Sequence, residues 1–365
     1  MKLIIFSIFF VFHNLNLFAI DINLRYSIID TGVISCFPSN TKTKIYEKSK
    51  IEIVAASCEP SAIAYNNNSL FFANDKSING KQISSIFSLE YKNGNFTDKN
   101  SINFITHPNI FLVKKFEDFA QTIDNKYILA TTSFDRNDES LEHNSILYWN
   151  ANNSNIVDFL QVKSGNKYSR KIRNYLEKVI KKPYFKIEGL VVIPNNKLIF
   201  GIREEGESYK KFDYVVNLIS VSIEEEKNSR LFIKDDFKLI YSFKNTKRYV
   251  NEDIGISSLA WDTFHNSILI LTSFEEQEKV GAYLWNLPLE YIEKNIDPVI
   301  LLSKENQPLK FLHKAEGITF VAKDKLFVIH DDDRRIIPAN IKGNIYLRKP
   351  HEAIYDIVSI EKFVK

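Results

Sequence analysis

The chain has 365 residues, with 48 Lys and Arg against 45 Asp and Glu, a near balance that argues against wholesale coating of nucleic acid. Aromatic residues are plentiful (28 Phe, 17 Tyr) and glycine is sparse at 11, while asparagine, lysine and isoleucine are frequent, a bias that reads mostly as a base-composition signature of the genome and is weak evidence about function. The only two cysteines, Cys36 and Cys58, have no C-x-x-C spacing, which argues against a thiol redox motif or a zinc site.

The N-terminus carries Lys2, an apolar run from Leu3 to Phe12 broken only by Ser7, a polar step at His13-Asn14, and a last patch ending at Ala19. The run is too short to cross a bilayer and has the form of a secretory signal core, so residues 1–19 read as a signal peptide and 20–365 as one domain. No cysteine follows directly, so a lipid anchor is not expected. No later stretch has the length and polarity of a transmembrane helix, and the expected location is periplasmic or secreted. In that compartment Cys36 and Cys58 either form a bridge or stay as buried thiols, and their spacing does not choose.

After short apolar runs between Arg25 and Ala56, a phrase begins to repeat: an opening polar residue, an apolar strand, a turn, and a second apolar strand closing on a polar residue. In Ile187-Glu188-Gly189-Leu190 the opening Glu188 precedes the closing Glu204 by sixteen positions. The same separation relates 59 to 75, 117 to 133, 257 to 273 and 316 to 332. Strands are predicted at 188–193, 197–203, 214–223 and 237–243 in the clearest unit. They are predicted at 256–261, 267–273, 280–286 and 297–302 in the next, and at 316–321, 325–330, 343–348 and 354–362 in the last. Openings are spaced 58, 71, 69 and 59 residues apart. Four-stranded units repeated at this period predict an all-β fold, a β-propeller. Dividing the length by the shortest period predicts six blades, five full units and a sixth assembled from N-terminal strands. Between the second and third units, residues 163–186 hold nine basic residues against Glu177 alone, with apolar residues at helical spacing. They predict an inserted amphipathic helix ended by Pro183, either a cationic surface or a solvated face.

Around a ring, the repeated opening would gather Glu59, Glu117, Glu188 and Glu316 at one end of the innermost strands, with Glu204 and Asp332 at the ends of the adjacent strands. Converging carboxylates repel unless a cation neutralises them, and hard oxygen donors favour calcium or magnesium. The candidate metal ligands are therefore Glu59, Glu188, Glu204, Glu316, Asp331 and Asp332. Arg203 and Arg334 are candidates for holding a small phosphorylated ligand. The alternative gives the glutamates a structural task, hydrogen bonding to neighbouring blades. Asp75-Lys76-Ser77-Ile78-Asn79-Gly80 starts like a calcium loop, but Ile86 stands where the bidentate glutamate belongs. The sequence has no G-x-S-x-G, G-x-G-x-x-G, Walker loop or H-E-x-x-H. Trp149, Trp261 and Trp285 read as packing anchors.

Ile187-Glu188-Gly189-Leu190 with Phe200-Gly201-Ile202-Arg203, Gly255 to Asp262, and Ala315-Glu316-Gly317-Ile318 with His330 to Asp333 resemble the phytase-like (esterase-like) bacterial β-propeller proteins, in an exported branch. The resemblance covers roughly residues 55–365. It implies a propeller with an acidic central funnel, calcium, and metal-dependent hydrolysis of phosphoesters; a monomer is expected from the closed repeat itself. The chain departs from that pattern at Ser257, which replaces the acid. The competing expectation is a non-catalytic propeller whose loops bind a protein or glycan. Several carboxylates meeting in one funnel would favour the enzyme.

Overall fold

The computed structural model describes residues 24–47, 50–76, 83–99, 101–138, 140–227, 229–276, 279–333 and 335–362. The segment read as a signal peptide and Arg334 lie outside them.

Five sheets, antiparallel except where Val162–Ser164 pairs parallel with Leu231–Lys234, stand radially around one axis. Their innermost strands are Pro60–Asn66, Phe116–Gln121, Tyr184–Ile193, Gly255–Asp262 and Ala315–Ala322. Each packs against the next, and the last packs back against the first, closing a ring. We number the blades 1 to 5 in that order.

Side chains alternate across a strand, and here both faces of every sheet are covered, so the inner strands read as continuous apolar runs. In blade 3, Leu198, Phe200 and Ile202 enter the core shared with blade 2, while Ile199 between them enters the core shared with blade 4. Five such cores exist, one per neighbouring pair of blades. The expectation of six blades is thereby corrected: five sheets and five cores complete the ring among the described residues. The chain length that suggested a sixth goes into connections.

The N-terminal strand Leu24–Ser35 builds no blade of its own. It is the outer strand of blade 5, antiparallel to Glu352–Lys362 from Leu24 opposite Lys362 to Ser35 opposite Glu352. The third strand of blade 5 is this Glu352–Lys362, whereas the predicted 343–348 falls largely in a separate hairpin, Ala339–Ile341 with Asn344–Tyr346. A second hairpin, Lys42–Glu47 with Lys50–Ala55, lies between the outer strand and blade 1, bracketed by a Cys36–Cys58 disulfide.

The inserted helix is shorter than predicted, Ile172–Ile180, ended by Lys181 in the left-handed region at φ 59°. Short strands Val162–Ser164 and Lys167–Ser169 precede it. Ile172 and Leu176 enter the core between blades 2 and 3. Arg173 is buried and donates to the carbonyls of Phe134 and Pro183, so part of the basic run is structural. Among the described residues no helix is long and apolar enough to cross a membrane.

Candidate functional site

A β-bulge interrupts the pairing of the first two strands in every blade, leaving one residue of the inner strand out of register: Ser61, Glu117, Glu188, Ser257 and Glu316. Bulges re-aim a side chain. Here they mark equivalent places in five blades, so Glu188 and Glu316 correspond, as their shared E-G-aliphatic phrase predicts. Glu59 does not belong to this set. Its carbonyl accepts the amide of Asp75, as that of Lys115 accepts Ser133 and that of Lys314 accepts Asp331. Glu59 thus occupies, in blade 1, the place two residues before the bulge that a lysine holds in blades 2, 3 and 5: Lys115, Lys186 and Lys314.

The expected acidic funnel is therefore corrected to a neutralised one. Lys186 pairs with Glu188 and lies 3.5 Å from Glu117; Lys314 lies 3.0 Å from Glu316. In blade 4 the bulge is a serine and the place before it is Gly255. There Arg203 crosses from blade 3, its Nη1 3.0 Å from Glu188 Oε2 and donating to Ser257 Oγ and Ser273 Oγ at 2.9 Å each. A Cβ on Gly255 would come within 2.7 Å of Arg203 Cγ, so the absent side chain makes room for the guanidinium.

All three glutamates are buried, and their fates differ with their partners. Burial pushes the Glu117 carboxyl well above its usual range, against the pull of Lys186. Burial likewise lifts Glu316 to about 7 despite Lys314. Burial acts on Glu188 too, but Arg203 and Lys186 outweigh it and hold that carboxyl below its ordinary value. Lys186 and Lys314 are raised well above the usual lysine value, burial being overcome by the surrounding carboxylates.

A cavity of about 550 Å³ opens beside this ring, between blades 1, 2 and 5, the 42–55 hairpin and the 333–350 segment. On its wall Glu59 is 1% exposed, and ligand atoms of Glu59, Asp331 and Asp333 lie within 4.8 Å of one another. Lys76 pairs with Glu59 Oε2, but Oε1 has no hydrogen-bond partner among the described residues. Burial raises Asp331 well above the usual carboxylate range, opposed by Lys314, with Asp333 and Glu59 adding to the rise. Basic side chains ring the same cavity: Lys44, Lys76, Lys114, Lys115, Arg335, Arg348 and Lys349. Arg348 is buried, gives its Nη hydrogen bonds to the carbonyls of Glu352, Asp333 and Arg335, and leaves Nε without an acceptor among the described residues.

Of the residues proposed from sequence as metal ligands, the structure brings Glu59 and Asp331 together and adds Asp333. It places Glu188 and Glu316 in the ion pairs above. Glu204 accepts the Tyr184 hydroxyl at 2.6 Å. Asp332 faces His313, whose Nδ1 lies 2.7 Å away, and accepts the Lys314 amide at 3.0 Å. Arg203, proposed as a ligand-binding residue, is 3% exposed and engaged within the ring. The neutralising lysines were missed, although Lys115-Phe116-Glu117, Lys186-Ile187-Glu188 and Lys314-Ala315-Glu316 repeat a K-x-E signal.

No family model and no curated protein sequence matches this chain. Solved structures similar to it include a putative glycoside hydrolase from Parabacteroides distasonis ATCC 8503, 9% identical, covering 89% of this chain and 95% of that one with a TM-score of 0.42. A β-1,2-mannobiose phosphorylase from Listeria innocua is 10% identical, with coverage of 93% and 89% and a TM-score of 0.40. A PQQ-bound aldose sugar dehydrogenase from Streptomyces coelicolor is 11% identical, with coverage of 91% and 99% and a TM-score of 0.35. These likenesses concern the fold alone, and the chain's own sheets and cores show that fold to be a β-propeller.

Proposed function

We propose that this propeller binds a divalent cation at Glu59, Asp331 and Asp333 and, beside it, a small phosphorylated molecule. The observation that carries the reading is Glu59 Oε1, a buried carboxylate oxygen without a hydrogen-bond partner among the described residues, on a side chain at a cavity wall that lies within ligand distance of Asp331 and Asp333. A carboxylate oxygen withdrawn from water without a partner is costly, and a hard cation would satisfy it. Calcium takes six to eight oxygens, so three carboxylates would need completion by water or ligand oxygens.

The lysines at the mouth would hold the ligand's remaining oxygens, while Arg348, committed to three backbone carbonyls, would hold the wall in place. Once bound, the cation would polarise a phosphoryl oxygen as a Lewis acid. The chain's own residues supply binding and orientation, and we propose no hydrolytic step beyond that. Export of the protein as a monomer belongs to the same proposal, and the Cys36–Cys58 bridge supports it, because disulfides persist in oxidising compartments.

The test is thermal unfolding with increasing calcium chloride. A cation binding only the folded protein raises the midpoint with concentration. Glu59→Gln should abolish that rise, while Glu188→Gln with Glu316→Gln should leave it intact. Calorimetric titration of the calcium-loaded protein with glycerol phosphate and glucose 6-phosphate, against glycerol and glucose, then tests the ligand class. No calcium response in the wild-type protein would remove the cation from the reading.

A further inference from the structure

The opposite end of the axis holds a second cavity of a different character. Its volume is about 420 Å³, and all five innermost strands line it. Ile63, Phe119, Val191, Leu259 and Ile318, one from each blade, supply apolar wall. They lie just beyond the level of the bulges, where Asp118 accepts the Ser258 hydroxyl and the amides of Leu190 and Leu259 across the axis. The charged ring and this cavity are therefore on opposite sides of a hydrogen-bonded node.

Towards the mouth, Tyr65, Trp261, Phe264 and Phe320 supply aromatic surface. The single charged lining residue is Lys323, whose ammonium lies 5.0 Å from the centre of the Phe264 ring. Two amide atoms on the wall are buried without partners among the described residues: Asn66 Oδ1, an acceptor, and Gln121 Nε2, a donor. Asn66 is 5% exposed and anchored by donation from Nδ2 to the Asn125 carbonyl at 2.9 Å, which fixes Oδ1 as its spare atom.

We propose that this axial cavity binds a neutral saccharide, independently of the cation site. A cationic ligand would find no carboxylate on the wall, and an anionic one only Lys323, whose ammonium already lies over the Phe264 ring. A purely apolar one would leave the two amides unsatisfied. A sugar hydroxyl both donates and accepts, meeting Asn66 Oδ1 and Gln121 Nε2 together, and the C–H face of a pyranose ring covers an aromatic side chain. A cavity of this volume, in which apolar and aromatic surface alternates with polar groups that fix orientation, has the form of a small-molecule site.

Trp149 and Trp285 are buried in the inter-blade cores, so Trp261 is the indole placed to report on the cavity. The purified protein is titrated with methyl glucoside, methyl mannoside, lactose and cellobiose while tryptophan emission and heat are followed. We expect saturable binding of at least one probe, weakened roughly tenfold by Gln121→Leu, which removes one hydrogen-bonding partner. Glu59→Gln, at the other end of the axis, should leave it unchanged. A cooperative unfolding transition of Gln121→Leu close to the wild-type midpoint would show that this variant is folded. Three results would overturn the proposal: no saturable change with any of the four sugars, equal binding of the charged gluconate, or an affinity unaffected by Gln121→Leu.

Discussion

Asp118 Oδ1 accepts the Ser258 hydroxyl at 2.9 Å, joining blade 2 to blade 4 across the propeller axis. Asp118 Oδ2 takes the Leu190 amide of blade 3 at 2.7 Å and the Leu259 amide of blade 4 at 3.1 Å. Ser258 Oγ in turn accepts the Ile318 amide of blade 5 at 3.3 Å. One carboxylate thus satisfies backbone donors that no ladder reaches, because these inner-strand amides face the axis where the sheets have no further strand.

Asp118→Ala should accordingly destabilise the protein by about 3–5 kcal/mol, since it strands several buried donors at once. A urea melt that shifts by less than about 1 kcal/mol would show that water replaces the carboxylate at no cost.

Glu316 sets a pH dependence. Its carboxyl is lifted from 4.5 to about 7 in the fold, so the folded state keeps a proton that the unfolded chain releases. The contribution is fully present below pH 4.5 and is lost as pH rises to about 7, amounting to about 3 kcal/mol. Glu188, held low by its two cations, acts in the opposite sense, its contribution being lost as pH falls. Denaturation midpoints measured from pH 4.5 to 8 should decline less steeply in Glu316→Gln than in the wild-type protein, and a parallel decline in both would assign the slope elsewhere.

Arg203 neutralises Glu188 where blade 4 offers neither acid nor lysine. Arg203→Met should cost about 3–5 kcal/mol by leaving a buried carboxylate short of its partner. Adding Glu188→Gln should recover a substantial part of that loss, because the two residues are in direct contact and their effects should not add. Strict additivity in the double-mutant cycle would contradict the pairing.

The Cys36–Cys58 bridge closes a loop with a sequence separation of 22, for which the chain-entropy estimate of stabilisation is about 3 kcal/mol. Cys36→Ser with Cys58→Ser should lower stability by that order. It should also weaken calcium binding, because the 42–55 hairpin inside the loop supplies Thr43, Lys44, Val54 and Ala55 to the cavity wall. Unchanged binding with reduced stability would separate the hairpin from the site.

The repeat was legible because it is local. The sixteen-residue register of Ser257 and Ser273 reappears as hydroxyls 2.5 Å apart, and Asp75 donates its amide to the carbonyl of Glu59 sixteen residues earlier. The blade count was not legible, since it depends on Leu24–Ser35 finding Glu352–Lys362, a pairing across nearly the whole chain that no periodicity encodes. The acidic cluster was half legible. Glu59 and Asp331 were visible as acids, but the offset between Glu59 and Glu188 is a matter of bulge placement, which the shared spacing of sixteen concealed. Asp118 gave no signal, because its partners in other blades are the Leu190 and Leu259 backbone amides and the Ser258 hydroxyl, and backbone amides exist at nearly every residue.

A ring fastened by its earliest strand and one of its latest imposes an order on assembly. Leu24–Ser35 emerges from synthesis before the other described strands yet finds its partner only once residues 352–362 have followed, so the last blade stays incomplete until those residues are present. Pairings of such sequence separation fold slowly, and the unpaired edge stays available to other chains meanwhile. The same geometry brings the two ends of the described chain side by side, so the circle could be cut instead between two other blades, and a permuted chain would carry its closing strand inside an unbroken sequence.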